Sequence, residues 1–162
     1  MLNHTIKVVE KELSNEFKKE VERVNRSMIS SVRQAIVDKL LELYPEYTIY
    51  EEDIPLNKPS FLIVLIGQDY SKRMNVKFKS LLSFDVAYFS DKGTTEIRAD
   101  CLAVQLALFR GFDLINSYRV LNKKVTITDN VLHFTFDINY SEMIEQNYVK
   151  MQQPQITTRT EE

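Results

Sequence analysis

The stretch Val76–Phe89 constrains the fold more than any other part of the chain. Read alternately, Val76, Phe78, Ser80, Leu82, Phe84, Val86 and Tyr88 fall on one side. Lys77, Lys79, Leu81, Ser83, Asp85, Ala87 and Phe89 fall on the other. Alternation of this length specifies a long β-strand with one apolar face. Such a strand must pair with neighbours and bury that face. A long hairpin built on it, with helices over its apolar side, is the expected platform. Lys77 and Lys79 mark the end that runs into solvent.

Its partners are legible on either side. Phe61–Ile66 is a continuous apolar run flanked by prolines, which predicts a strand buried on both faces. Polar Gln68–Asn75 then forms the hairpin tip. Val131–Tyr140 carries the cleanest alternation, with Leu132, Phe134, Phe136, Ile138 and Tyr140 on one side. Asp129-Asn130 joins it to Arg119–Thr128 as a tight turn, because both residues tolerate positive φ. In that preceding strand Leu121, Val125 and Ile127 are expected to share a face. Tyr47–Tyr50 reads as a further short strand.

The helices follow from three- and four-residue spacing. Residues 3–25 carry Ile6, Val9, Leu13, Phe17, Val21 and Val24 on a narrow stripe. Asn25-Arg26-Ser27 interrupts it, and Ser27 is placed to cap a second helix. That helix bears Ile29, Val32, Ile36, Leu40 and Leu43, widened by Val37, Leu41 and Tyr44, and ends at Tyr44-Pro45. After a turn at Ser90–Gly93, a third helix spans about Thr95–Arg110. Ile97, Cys101, Val104 and Leu108 form its stripe, with Leu102, Leu106 and Phe109 beside it, and Gly111 suits its end.

The predicted class is therefore α+β. An antiparallel or mixed sheet of about four to five strands is covered mainly on one face by helices, with an extra N-terminal amphipathic helix. The expected organisation is a helical extension over residues 1–27, an α+β domain over 28–142 and an extended tail over 143–162. At 162 residues and 44% hydrophobic, one domain can bury roughly 70% of its unfolded surface. Only three glycines and four prolines leave little room for long linkers.

The chemistry is sparse. A net charge of −2 gives no overall pull toward nucleic acid or an anionic membrane. No apolar run approaches the ~20 residues of a membrane span, and residues 1–7 lack the apolar block of a signal peptide. The single cysteine, Cys101, cannot form an internal disulfide. On the buried stripe of a helix it lacks a base, while His133 lies on the outer face of a strand. The two histidines, His4 and His133, have no carboxylate at ligand spacing on a predicted element, so no metal or cofactor is expected. Glu51, Glu52 and Asp53 could act as paired acids or hold a cation, but adjacent carboxylates at a strand end read more simply as a solvated loop. Lys72, Arg73, Lys77 and Lys79 could touch phosphate or an acidic partner, or could simply blunt sheet-edge pairing. No glycine-rich phosphate loop and no nucleophile elbow occur. No catalytic residue is named.

From residue 28 onward the order of segments resembles the phage tail terminator family. The resembling stretches are Ser31–Leu40, Tyr44-Pro45-Glu46-Tyr47-Thr48-Ile49-Tyr50-Glu51-Glu52, Lys58-Pro59-Ser60-Phe61-Leu62-Ile63, Ser83–Phe89 and Asp129–Asp137. The N-terminal helix departs from the family's short form. The resemblance implies a structural virion or phage-tail-like particle protein, assembled in the bacterial cytoplasm. It would form a ring, commonly hexameric, that caps the tail tube, stops its polymerisation and meets the head-side connector or collar. Its partners would be itself, the tube protein and, in a contractile tail, the sheath protein, with possible passage of DNA through the ring and no membrane. The expected interface residues are Asp69, Lys72, Arg73, Lys77 and Lys79 on the hairpin, Glu51, Glu52 and Asp53 after the short strand, Phe17 on the first helix and Tyr148 in the tail. The alternatives are another neck component (a tail-completion or head-completion protein), a small enzyme using Glu51–Asp53, or a cytosolic adaptor.

Overall fold

The computed structural model describes residues 2–51 and 55–144, with the backbone alone at 2–14, 21, 24 and 25. It has helices plus a six-stranded mixed sheet, one or two strands more than expected. The elements run α1 (Leu2–Leu43), β1 (Thr48–Tyr50), β2 (Ser60–Lys72), β3 (Lys77–Phe89), α2 (Ile97–Gly111), β4 (Leu114–Ile115), β5 (Tyr118–Thr128) and β6 (Val131–Met143). Their order across the sheet is β1-β2-β3-β6-β5-β4. Among the described residues only β1 pairs in parallel, with the start of β2. The long strands β2, β3, β6 and β5 are antiparallel throughout.

β3 sits near the middle, as its pattern requires. Phe78, Ser80, Leu82, Phe84, Val86 and Tyr88 are all buried, while Lys77 and Lys79 are exposed. β6 repeats this with Leu132, Phe134, Phe136, Ile138 and Tyr140. The Asp129-Asn130 turn has φ of 51° and 61°, the left-handed pair that a two-residue hairpin turn needs. Over this face lie Val32, Ala35, Ile36 and Leu40 of α1 and Cys101, Val104 and Leu108 of α2, all in one apolar core. Phe109 and Phe112 meet Phe134 edge-on, with ring centroids 5.7 and 5.3 Å apart. Tyr44, Tyr47, Phe61 and Tyr88 form a second aromatic group at the base of β2.

Five expectations need correction. First, α1 runs unbroken through Asn25-Arg26-Ser27, so Ser27 caps nothing. Arg26 and Ser27 are exposed, and a polar triplet without proline or glycine does not stop a helix. Second, β2 is buried on one face only, since Val64 and Ile66 on the other are 38% and 57% exposed. It also continues through Gln68–Lys72, which shortens the hairpin tip. Those polar residues are carried by the ladder to β3. Third, Leu121 does not share a face with Val125 and Ile127. A bulge between Leu121 and Lys124, with Asn122 at φ 52°, switches the phase of β5. Val120 consequently enters the core instead. Fourth, Gly111 does not use positive φ at the end of α2. A Cβ there would lie 2.8 Å from Leu43 Cδ1, so glycine permits the close approach of α1. Fifth, Leu102 and Leu106 do not widen the buried stripe of α2, being 53% and 45% exposed.

The two-residue strand β4 was not anticipated. It folds back on the start of β5 around Asn116, whose φ is 54°.

Candidate assembly interface

The far end of the sheet, where β2 turns into β3, gathers five of the ten expected interface residues. Asp69, Lys72, Arg73, Lys77 and Lys79 are all exposed there. Asp69, Arg73 and Lys79, with Ser71, Leu81 and Asn139, line a shallow depression of about 200 Å³. That is below the range of small-molecule sites, and five of its six lining residues are polar or charged. The depression suits contact with a surface better than capture of a ligand.

This tip is tied down rather than free. Tyr70 of β2 donates its hydroxyl to Glu142 Oε1 on β6, spanning the strand between them. The Tyr70 ring stacks on Phe78 at 5.3 Å. Lys72 Nζ lies 5.9 Å from the Phe78 ring centroid. The backbone N–H of Ile144 donates to the Val76 carbonyl at 2.9 Å. Burial, then the Glu142 carboxylate, push the Tyr70 phenol well above its usual range. Tyr70 and Glu142 were missed in the sequence. Their signal was present, since Glu142 continues the inward phase of β6, but a carboxylate does not announce itself as an inward residue.

Glu51 is exposed just after β1, at the sheet's opposite end. It therefore does not join the basic cluster. Glu52, Asp53 and Tyr148 lie outside the described residues. Phe17 is half-buried on α1, well before Met28, where the described core contacts of that helix begin.

The face of the sheet turned away from the helices is polar at its centre. His133 Nδ1 lies 2.8 Å from Asp85 Oδ2. Ser83 Oγ donates to Asp137 Oδ1 at 2.6 Å, and Asn122 Nδ2 to Asp137 Oδ2 at 2.8 Å. The sequence did not connect Asp85 with His133, because the pairing of β3 with β6 is what brings them together. These cross-strand pairs fix side chains of adjacent strands over an open surface. They contain no activated nucleophile. Cys101 is buried on the inner side of α2, where burial and then Asp100 raise its thiol pKa, which disfavours the thiolate. Among the described residues no group of three or more histidine, cysteine, aspartate or glutamate side chains could hold a metal ion.

The remaining polar contacts brace elements. Tyr88 Oη donates to Asp100 Oδ2 at 2.7 Å, and Ser90 Oγ reaches the same oxygen. Asp100 stands in the first turn of α2, where a carboxylate meets the positive end of the helix dipole. Lys123, in the β5 bulge, donates to the Phe109 carbonyl at 2.9 Å and pairs with Asp113. It holds the Asp113 carboxyl below its ordinary range.

The geometry thus offers a braced polar tip and a sheet face with polar pairs at its centre, and no catalytic constellation among the described residues. Comparison with known proteins agrees with that picture. No curated protein matches the chain. The family model described as phage tail terminator protein matches residues 31–150, covering the whole sheet, α2 and the C-terminal end of α1. The chain belongs to the phage tail terminator family.

Proposed function

We propose that this structural tail protein works as a ring of identical copies that caps the tail tube and ends its growth. The ring, a hexamer in this reading, presents its other side to the head-side connector or collar and, in a contractile tail, meets the sheath. What supports the reading most is the sheet. Four long strands carry an apolar face under helices and a second face with cross-linked polar pairs at its centre and no cover among the described residues. A ring closed by head-to-tail contacts would turn that polar face toward a central channel wide enough for DNA to pass.

Two parts reach beyond the core. Residues 2–27 form an arm of about 39 Å at 1.5 Å per residue, continuous with the core-packed end of α1. This arm packs on a neighbouring copy through its narrow apolar stripe, Phe17 included. The hairpin tip from Gln68 to Lys79 and the segment from Ser141 onward supply contacts to the neighbour or the tube. The particle assembles in the host cytoplasm and the protein remains in the virion or tail-like particle.

The test is tube growth in vitro. Adding the purified chain to polymerising tube protein should shorten the tubes and leave a ring at one end. Tubes of unchanged length with bare ends would refute a capping role. Deleting Met151–Glu162 should weaken ring assembly measured by light scattering, and unaltered assembly would remove the tail from the interface.

A further inference from the structure

Both long edges of the sheet are left partly open. β1 covers β2 only from Ser60 to Leu62, so Ile63–Lys72 has no further strand beside it among the described residues. β4 covers β5 only at Tyr118 and Arg119, which leaves Val120–Thr128 likewise uncovered apart from a Val120 N–H bond to Asp113. Long open edges are liabilities unless they are used. Apolar side chains flank both of them, with Val64 and Ile66 on β2 and Ile127 on β5 exposed.

We infer that the β5 edge of one copy pairs antiparallel with the β2 edge of the next, opposing Lys124 to Asp69. The inference rests on the ring reading and specifies how its copies join. Direction fits first. β2 and β5 run antiparallel within the chain, so a copy rotated about an axis along the strands continues the alternation without a break.

Register fits next. Within one chain the ladders place Lys124 level with Thr135, Asp85 and Val64. Pairing at that level would run Thr128 into the part of β2 that β1 flanks. Sliding the neighbour by about four positions brings the two open lengths into register and keeps each core-side residue on the core side, which an odd slip would not. Leu121 then opposes Ser71, Lys124 opposes Asp69, Thr126 opposes Gly67 and Thr128 opposes Val64. The bulges at Ile66 and at Asn122-Lys123 fall between these pairs, where each adds one residue. They bar indiscriminate edge pairing while permitting this register.

Closure fits last. A slip of about four positions for every four long strands makes the total stagger equal to the strand number. A closed barrel with that ratio tilts its strands by about 36°, within the ordinary range for barrels. Asp69 and Lys124 are both exposed on the face away from the helices, so an ion pair forms there without burying charge.

The experiment is disulfide trapping in the full-length chain with Asp69→Cys and Lys124→Cys combined, alone and beside assembled tube protein. Cys101 stays in place because it is buried. Within one copy the two sites are three strand spacings apart, about 14 Å or more, too far for a bridge. Oxidation should therefore yield a ladder of covalent multiples, whereas each single-cysteine variant stops at dimers. Rings seen by native mass spectrometry without a ladder would overturn the edge pairing and leave the ring reading intact. Single copies in both samples would overturn the ring itself. If the double variant misfolds, charge reversal decides. Asp69→Lys or Lys124→Asp should raise the concentration for half-assembly about fivefold or more, and the two together should restore it. No change with either single reversal contradicts the register.

Discussion

The two faces of this sheet share their strands and differ in nearly everything else. One face carries Phe61, Ile63, Phe84, Phe134 and Phe136 beneath two helices. The other carries Asp85–His133 and Ser83–Asp137–Asn122, half-buried to exposed. Folding free energy is concentrated on the first, because apolar area is removed from water there. The second contributes modest cross-strand terms and keeps its polar groups available for contact. Stability is thus concentrated on one side of the backbone, while the other keeps polar groups at or near the surface.

Mutations should expose that division. The largest effect is expected from Phe134→Ala, which empties a site touching Phe109, Phe112 and Phe136. It should cost about 3–5 kcal/mol in denaturant unfolding. A loss below about 1 kcal/mol would mean that the covered face is not the core.

Tyr70→Phe is a smaller perturbation, at the tip end of the inward face. It removes the hydroxyl that partners buried Glu142, whose second oxygen, Oε2, already has no hydrogen-bond partner. The expected loss is about 1–3 kcal/mol. Hydrogen exchange should rise first at Phe78 and Tyr140. Uniform acceleration would mean that the tip is not separately braced.

Alkaline pH probes the same buried phenols. Tyr88 and Tyr70 have raised pKa values, first through burial and then through Asp100 and Glu142 respectively. A folded chain that holds these protons more tightly than the unfolded chain is fully stabilised by them below about pH 10. That contribution is lost as pH climbs from there, so the unfolding midpoint should fall above pH 10. A flat midpoint would contradict the burial of these hydroxyls.

The smallest stability change belongs to the tip. Lys77→Ala with Lys79→Ala should shift folding by no more than about 0.5 kcal/mol, since both side chains are exposed. Attachment to tube ends should nevertheless weaken, as judged by co-sedimentation. The reverse pattern, lower stability with normal attachment, would merge the two roles that the comparison separates.

The covered face was legible in the sequence, because alternation in β3 and β6 is a direct record of which side is buried. What escaped was whatever breaks that record. Bulges at Ile66 and Asn122 shift the phase by one residue and leave no compositional mark. Gln68–Lys72 looked like a turn because its polarity reflects distance from the helices and not loss of strand structure. Gly111 does end α2, yet the need for glycine there comes from Leu43, a residue far away in the chain. Of the expected interface residues, Asp69, Lys72, Arg73, Lys77 and Lys79 do share one exposed end. Glu51 does not join them, because parallel pairing of β1 carries it to the other end. Periodicity reports burial within one chain, and it holds little information about surfaces completed by a second copy.

The most direct test is imaging of the purified full-length chain mixed with its polymerising tube protein. The arrangement described here predicts closed rings of several copies seated on tube ends, with growth halted wherever a ring is present. Single copies that leave tube ends bare and growing would contradict it.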